Sequence, residues 1–307
     1  MKIIYTLFLL CSFAGYSQVN LTDSNLPIVV ITTSGGESIV DDPRIYCHMG
    51  VIDNGFGVRN YMTDPFNDYD GQISIEIRGS TSQQYPKKGY GLETQDSLGN
   101  NNNVSVLGLP VENDWVLYGP YPDKTCIRNV LTFHLARRMG NYAPRAVYCE
   151  LVINGEYRGL YLFMEKIKRD NDRVNISKLD SLSISGDELT GGYVIKVDKT
   201  TGSIVDTWVS PYNPEVVFQY HDPAPNDLLL VQKTYIQSIV AEFENALAGP
   251  NFEDHTLGYD PLIHKLSFYD FFLLQELGRT VDGYRSSSFL HKDKESIWGG
   301  VLHAGPM

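Results

Sequence analysis

The chain has 307 residues, of which 42% are hydrophobic and 20% are charged, a balance typical of a globular protein with ample core. Its formal net charge of −12 repels nucleic acid and anionic membrane surfaces at long range, so neither is expected as a partner. Any phosphate-binding site in this chain must therefore be a local concentration of basic residues.

The first 17 residues have the organisation of a secretory signal peptide. Lys2 precedes a short apolar run, Ile4–Phe13, and small residues follow it. The run is too short to cross a bilayer, which takes about 20 residues, and no later apolar run is longer. A lipoprotein anchor at Cys11 fits its flanking residues poorly. We expect cleavage after Ser17 and an exported protein without a transmembrane segment, either secreted, periplasmic or on the cell surface.

Three cysteines follow this segment: Cys47, Cys126 and Cys149. Their number is odd and no two of them have the spacing of a redox or metal motif. We therefore expect buried free thiols that behave as small hydrophobic side chains, with at most one disulfide.

One segment has the composition of a phosphate-binding turn. A strand with isoleucines at positions 73, 75 and 77 runs into the small and polar residues Arg78–Gln83, which are followed by Lys87 and Lys88. Backbone N–H groups and hydroxyls in such a turn can bind an anion, while arginine adds paired contacts and lysine a mobile charge. A plain hairpin with a polar turn has the same composition, so this pattern alone is weak evidence.

Only one of the two lysines is expected to contact a phosphate. Adjacent residues of a strand point to opposite faces, so Lys87 and Lys88 would diverge. We favour Lys88 for the phosphate, and we expect the other to be a solvated surface lysine.

Apolar residues at helical spacing predict three helices. One begins after Asp123 and ends at Gly140, one covers residues 226–247, and one covers residues 260–277. Two strands flank Asn154-Gly155, the dipeptide that favours a tight type I′ hairpin. The Pro- and Tyr-rich residues 206–225 are expected to form a loop or a crossing strand.

These elements predict an α+β protein with two lobes. Residues 18–70 are expected to form a β adornment, residues 71–205 a β-rich N-terminal lobe, and residues 226–307 a helical C-terminal lobe. The basic turn lies in the first lobe and Asp282 in the second. A two-lobed kinase has this organisation.

Four ordered motifs resemble a known family. They are Arg78-Gly79-Ser80-Thr81-Ser82-Gln83 with Pro86-Lys87-Lys88-Gly89-Tyr90, Leu107–Pro110 with Asp114–Leu117, Asn154–Tyr161 with Glu165-Lys166-Ile167, and Glu276-Leu277 with Asp282-Gly283-Tyr284. Together they resemble the CotH family of spore-coat-protein-H-like secreted proteins, over roughly residues 25–307. The resemblance implies an atypical protein-kinase-like fold and a bacterial host.

The family resemblance implies transfer of the γ-phosphate of ATP to hydroxyl groups of exported proteins, with Mg²⁺ or Mn²⁺. It makes Asp282 the catalytic residue, just past a helix and beside a glycine. A loop at this place can aim a carboxylate into a cleft between lobes. The structural alternative is an aspartate that makes an Asx-turn at the end of a helix.

The nucleotide contacts are expected to come from the first lobe. Candidates for the phosphates are Arg78, Ser80, Ser82 and Gln83, together with Lys87 or Lys88. A kinase pairs its phosphate lysine with a glutamate of a neighbouring helix, but the predicted helix over residues 124–139 has no acidic residue. Glu165, or alternatively Glu150, is a possible substitute, although both lie on predicted strands, where a glutamate is more often simply polar surface.

The metal ligand implied by the resemblance is not in the sequence. In relatives, the stretch that here reads Gly299–Pro306 runs into a Trp-Asp-x-Asp motif that supplies a Mg²⁺-binding aspartate. Here Met307 follows, so the aspartate is expected beyond it. We therefore hypothesise that the sequence is a C-terminally truncated and inactive fragment.

Other classes of function are less well supported. The seven histidines form no His-Glu-x-x-His motif of a zinc hydrolase, and neither a Gly-x-Ser-x-Gly motif nor a Walker A motif occurs. The remaining alternative is a non-enzymatic surface or coat protein that uses this fold to bind a partner, since a fold does not guarantee an activity.

Overall fold

The computed structural model describes residues 19–200 and 206–306. The predicted signal peptide, residues 1–17, lies outside this range. In the part that is described, no helix is both long and apolar enough to span a bilayer.

The described chain contains fourteen strands and five helices. The strands are β1 (Asp23–Ser24), β2 (Ile28–Thr33), β3 (Ile45–Ile52), β4 (Asn60–Tyr61), β5 (Tyr69–Arg78), β6 (Gly89–Gln95), β7 (Asp114–Tyr118), β8 (Ala146–Ile153), β9 (Glu156–Glu165), β10 (Tyr193–Val197), β11 (Thr207–Val209), β12 (Val217–Asp222), β13 (Ser288–Lys292) and β14 (Leu302–Ala304). The helices are α1 (Arg128–Arg138), α2 (Gly186–Leu189), α3 (Leu230–Ala248), α4 (Lys265–Gly278) and α5 (Glu295–Trp298).

Seven strands form a closed barrel in the order β2-β3-β5-β6-β7-β9-β8. All neighbours are antiparallel except β2 and β8, whose parallel pairing closes the barrel. The alternation predicted from the isoleucines of β5 is confirmed, because Ile73 and Ile75 are fully buried in the barrel interior with Trp115 and Phe163. Closure leaves no free edge on this sheet.

The predicted Asn-Gly hairpin is confirmed between β8 and β9. Asn154 and Gly155 have φ values of 51° and 77°, the left-handed values that a type I′ turn requires at both central positions. The side chain of Asn154 also binds Thr33 at the end of β2, since its Oδ1 accepts from the Thr33 N–H at 2.9 Å. This turn therefore also anchors the strand that closes the barrel.

A second sheet has five antiparallel strands in the order β11-β12-β10-β13-β14. Helix α3 covers it, with Ile236 and Val240 packed against Phe218 and Tyr220 of β12. The strand β10 pairs on one side with β12 and on the other with β13, so it joins segments that are far apart in the sequence.

The helices α1 and α4 pack between the barrel and the rest of the chain. Phe133 and Ala136 of α1 share a small core with Leu274 of α4 and with Val116 and Met164 on the outer face of β7 and β9. Helix α1 begins at Arg128, later than predicted, because residues 123–127 form a turn in which the Asp123 carboxylate accepts from the N–H of Thr125 and of Arg128.

The predicted fold class, an α+β two-lobed arrangement with a helical C-terminal lobe, is wrong. Strands dominate the described chain, and its C-terminal part contributes β13 and β14 to a sheet instead of forming a helical lobe. The predicted helices over residues 226–247 and 260–277 do form, as α3 and α4. The order of the strands in the second sheet depends on pairing between segments that are distant in the sequence, which a local sequence pattern does not reveal.

Candidate functional site

The turn between β5 and β6 has the shape of an anion-binding turn. Gly79 has a φ of +104°, a value that favours glycine, and a Cβ atom there would lie 2.0 Å from the Ser82 Oγ, which would have to move. The chain then forms one short 3₁₀ turn, Thr81–Gln84, in which the Gln83 N–H donates to the Ser80 carbonyl at 3.1 Å. These contacts make residues 79–84 a compact turn.

The donors of this turn are free among the residues that the structure describes. From Gly79 to Ser82 no backbone N–H donates to a described residue outside the turn. The Arg78 guanidinium, exposed at the end of β5, makes no hydrogen bond or ion pair with any residue in the described ranges. The side chains of Arg78, Ser80 and Ser82 therefore have no partner among the described residues, and their contact with an anion stays a prediction.

Gln83 has a different role from the one predicted. Its Nε2 donates to the Asp41 Oδ1 at 2.8 Å and to the Gly79 carbonyl at 2.7 Å. The amide therefore holds the turn in shape. The Gln83 carbonyl in turn accepts from the Lys88 Nζ at 2.5 Å, which places the Lys88 ammonium against the turn.

Lys87 points away from the turn. Its Nζ lies 4.5 Å from the centroid of the Tyr161 ring and donates to the Arg158 carbonyl at 3.3 Å. Burial lowers the pKa of the Lys87 ammonium. The two lysines diverge as expected, but both precede β6, and Lys87 is a half-buried residue instead of the solvated surface lysine that was predicted.

The second sheet adds cations next to the turn. The Nζ of Lys199, two residues beyond β10, donates to the Thr81 Oγ1. Burial, opposed by the hydrogen bond to the Ile167 carbonyl and aided by the charges of Lys196, Lys166 and Arg78, lowers the pKa of the His221 imidazole on β12 to about 4. Lys88 before β6 and Lys199 after β10 both place an ammonium group against the turn, in a protein whose net charge is −12.

Asp282 lies in the loop from α4 to β13. Its side chain is exposed and makes no hydrogen bond or ion pair within residues 19–200 and 206–306, so it does not form the alternative Asx-turn. Its main-chain carbonyl accepts from the Ser286 N–H at 3.0 Å. Arg279, Tyr284 and Ser287 in the same loop have positive φ values of 47°, 73° and 51°. Such strain in residues other than glycine is common at functional sites.

The strand register places the Asp282 loop at the end of the second sheet that contacts the turn. Ser288, the first residue of β13, pairs with Val197, the last residue of β10. The loop that carries Asp282 therefore enters the second sheet at the end from which Lys199 reaches Thr81. The residues that follow β10 and the residues that precede β13 therefore lie at the same end of the second sheet.

Glu165 is not near the lysines. It is buried at the end of β9, where its carboxylate accepts from the Arg145 N–H at 2.8 Å and from the Arg145 Nη1 at 2.5 Å. Lys87 contacts the same strand at Arg158, seven residues earlier, which corresponds to about 23 Å along a strand. Glu165 therefore neutralises Arg145 and does not pair with Lys87 or Lys88.

The described residues differ in how well they fit a nucleotide and a metal. The unpaired Arg78, the free N–H groups of the turn and the nearby lysines match the donors that a triphosphate needs. Across the described ranges, no group of three or more His, Cys, Asp or Glu side chains is arranged to hold a metal ion.

Three residues of this region were missed by the sequence reasoning: Thr81, Lys199 and Arg158. Thr81 lies inside the predicted turn, and its hydroxyl beside two serines was the available signal. Lys199 follows a predicted strand on a remote segment, so only the strand register reveals its position.

All three cysteines are free thiols, as expected, and the thiols of Cys47 and Cys149 are buried in the barrel.

Comparison with known proteins identifies the family. No curated protein matches the chain. The family model described as CotH kinase protein matches residues 75–302, which is more than half of the chain and contains the turn, Lys87, Lys88 and Asp282. The predicted resemblance is thus confirmed, and the chain belongs to the CotH kinase protein family.

Proposed function

We propose that the protein transfers the γ-phosphate of ATP to a hydroxyl group of an exported protein. The observation that carries the proposal is the Lys199–Thr81 contact. It joins the turn to the end of the second sheet at which the loop that contains Asp282 leads into β13. Membership of the CotH kinase protein family supports kinase chemistry at this edge.

Each group has a defined part in the proposed reaction. Arg78, the N–H groups of the turn and the Lys88 and Lys199 ammonium groups hold the ATP phosphates and stabilise the charge of the transition state. Asp282 orients the acceptor hydroxyl and takes its proton. The hydroxyl oxygen bonds to the γ-phosphorus, the bond from this phosphorus to the β–γ bridging oxygen breaks, and ADP leaves.

The metal ion of the proposed reaction is Mg²⁺ or Mn²⁺. Such an ion would supply positive charge that neutralises the charge developing on the phosphates during the transfer. The contribution of this chain is to fix the phosphates: Gln83 fixes the turn through Asp41 and Gly79, and Gly79 permits its tight geometry.

Export of the protein is part of the proposal. The charged start, the short apolar run and the small residues before Gln18 support it. Substrates are then hydroxyl-bearing proteins that are exported by the same cell.

The test is transfer of labelled phosphate from ATP to a mixture of secreted proteins, with Mg²⁺ or Mn²⁺, by the protein extended through any reading frame that continues past Met307 and by its Asp282→Asn variant. Transfer that is lost in Asp282→Asn supports the proposal. Binding of ATP without transfer under any condition would favour the alternative, a non-enzymatic surface or coat protein that binds nucleotide. Absence of both binding and transfer would overturn the proposal.

A further inference from the structure

The barrel has an open mouth that the proposed reaction does not use. A cavity of about 700 Å³ lies where β5 and β8 end and where β6 and β9 begin. Its floor is formed by side chains of the barrel core or packed on it, namely Ile39, Ile77, Tyr90, Ile153 and Tyr161. Volumes of this size accommodate small molecules, and barrel mouths are frequent ligand sites.

The rim of the mouth is positively charged. Lys87, Lys88 and Arg158 line it, against only two carboxylates, Glu37 and Glu156. The Oε2 of Glu156 forms an ion pair with the Nη2 of Arg158 at 2.6 Å. The Lys87 ammonium has three donors, and among the described residues only one is used, in the long bond to the Arg158 carbonyl. An anion that reaches this rim meets at least one cation with unused donors.

Aromatic rings form much of the wall. Tyr90, Tyr121, Tyr157 and Tyr161 all line the cavity. The hydroxyl of Tyr161 donates to the Lys88 carbonyl at 2.8 Å, and that of Tyr157 donates to the Glu150 Oε2 at 2.6 Å. Because its hydroxyl is already bonded, the half-buried Tyr157 presents ring surface to a ligand, whereas Tyr161 is buried beneath the Lys87 ammonium. Ring surface packs best against another planar ring.

We propose that the barrel mouth binds a small aromatic anion, with its ring against Tyr121 and Tyr157 and its phosphate or carboxylate at Lys87 and Arg158. This site is separate from the ATP site proposed at the turn. Arg78, Ser80 and Lys199 do not line the mouth, and Lys87 points into it, away from the turn. Lys88 borders both, since its chain lines the mouth while its Nζ contacts Gln83.

The test is a titration by isothermal calorimetry with four probes: phenyl phosphate, benzoate, benzyl alcohol and inorganic phosphate. Phenyl phosphate or benzoate is expected to bind at least about tenfold more tightly than benzyl alcohol or inorganic phosphate, since ring and charge both contribute. The relative affinities of phenyl phosphate and benzoate tell which anionic group the site prefers.

Variants locate the binding. Lys87→Met and Arg158→Gln are each expected to weaken the aromatic anion at least about tenfold, and Lys87→Arg to retain most of the affinity. Arg78→Gln is the control, which should weaken ATP binding and leave the affinity for the aromatic anion unchanged. Equal affinity for inorganic phosphate would indicate a nonspecific anion site and would overturn the proposal. Loss of aromatic-anion binding in Arg78→Gln, or no binding of phenyl phosphate or benzoate at millimolar concentration, would also overturn it.

Discussion

The Nζ of Lys199 donates to the Oγ1 of Thr81, and this bond links the second sheet to the turn between β5 and β6. Both groups are exposed, and the bond joins segments that are 118 residues apart. Lys199 follows β10, and the loop that contains Asp282 leads into β13 at the same end of the second sheet. The proposed kinase function rests on this arrangement.

Lys199→Met is expected to weaken ATP binding about tenfold, because one charge-assisted contact to a phosphate contributes about 1.5 kcal/mol. The thermal unfolding midpoint should change little, since the side chain is exposed. Calorimetric titration with ATP measures the effect. Lys178→Met, which removes an exposed lysine from another segment, is the matched control. Equal loss of affinity in both variants would mean that only the overall charge matters.

Asp282→Asn is expected to lower the rate of phosphate transfer by about 10² to 10⁴, the usual contribution of a positioned acid or base. ATP affinity should stay within about twofold, because the carboxylate is assigned to the acceptor hydroxyl and not to the nucleotide. Initial rates with labelled ATP, beside a direct binding measurement, separate the two effects. A variant that transfers phosphate at the normal rate would exclude Asp282 as the catalytic residue.

Local patterns in the sequence predicted local features of the fold well. The alternation in β5, the Asn154-Gly155 hairpin, the helices α1, α3 and α4 and the turn after Arg78 could all be predicted, because each depends on residues close in sequence. The family was also identified from short motifs.

Features that depend on distant pairing could not be predicted. The barrel closes through the parallel pair of β2 and β8, which are more than a hundred residues apart, and β10 lies between β12 and the distant β13. The role of Glu165 was missed for the same reason: its partner Arg145 precedes the neighbouring strand β8, which no periodicity indicates. The helical C-terminal lobe was predicted because α3 and α4 give strong local signals, whereas no local signal indicates that β13 and β14 join β10 and β12 in one sheet.

Glu165→Gln is expected to destabilise the protein by about 1–3 kcal/mol without a specific effect on ATP. The substitution removes the negative charge of a fully buried carboxylate, which pairs with the Arg145 guanidinium. The guanidinium itself keeps some contact with water. Urea unfolding gives the free energy of unfolding, and an ATP titration at low urea gives the affinity. A stable variant that has lost ATP binding would instead place Glu165 in the nucleotide site.

Asn154→Ala is expected to lower the free energy of unfolding by about 2–3 kcal/mol. The variant loses two hydrogen bonds, from the Thr33 N–H to the Asn154 Oδ1 at 2.9 Å and from the Asn154 Nδ2 to the Thr33 Oγ1 at 2.8 Å. It also places alanine at a φ of 51°. Asn154→Gly loses the same two hydrogen bonds but avoids the backbone strain, because glycine adopts this φ freely. If urea unfolding gives equal stability for Asn154→Gly and the parent, the link to β2 contributes nothing.

Three histidines predict a loss of stability in acid. His303 stacks between His264 and His291, with ring centroids 4.4 Å and 5.1 Å apart. Burial, followed by the charges of these two neighbours, lowers the pKa of His303 to about 3, and Asp293 opposes this shift. Burial lowers the pKa of His291 as well. Between pH 3 and the ordinary value near 6.5 the unfolded chain therefore binds more protons, so the free energy of unfolding falls as the pH falls.

His303→Phe tests this expectation, because phenylalanine keeps the ring packing and removes the titrating group. From pH 7 to pH 4.5 the parent should lose at least about 1 kcal/mol more stability than the variant. His134→Gln, at an exposed position on α1, is the control and should follow the parent. Parallel curves for all three proteins in urea unfolding would contradict the assignment of the acid sensitivity to this stack.

The most direct test of the proposed kinase site is an ATP titration of the protein and of Arg78→Gln. The account predicts that ATP binds the parent, that Arg78→Gln weakens it by about 10- to 100-fold without changing the unfolding midpoint, and that Asp282→Asn does not weaken it. No binding of ATP to the parent in the presence of Mg²⁺, or equal binding by the parent and Arg78→Gln, would contradict it.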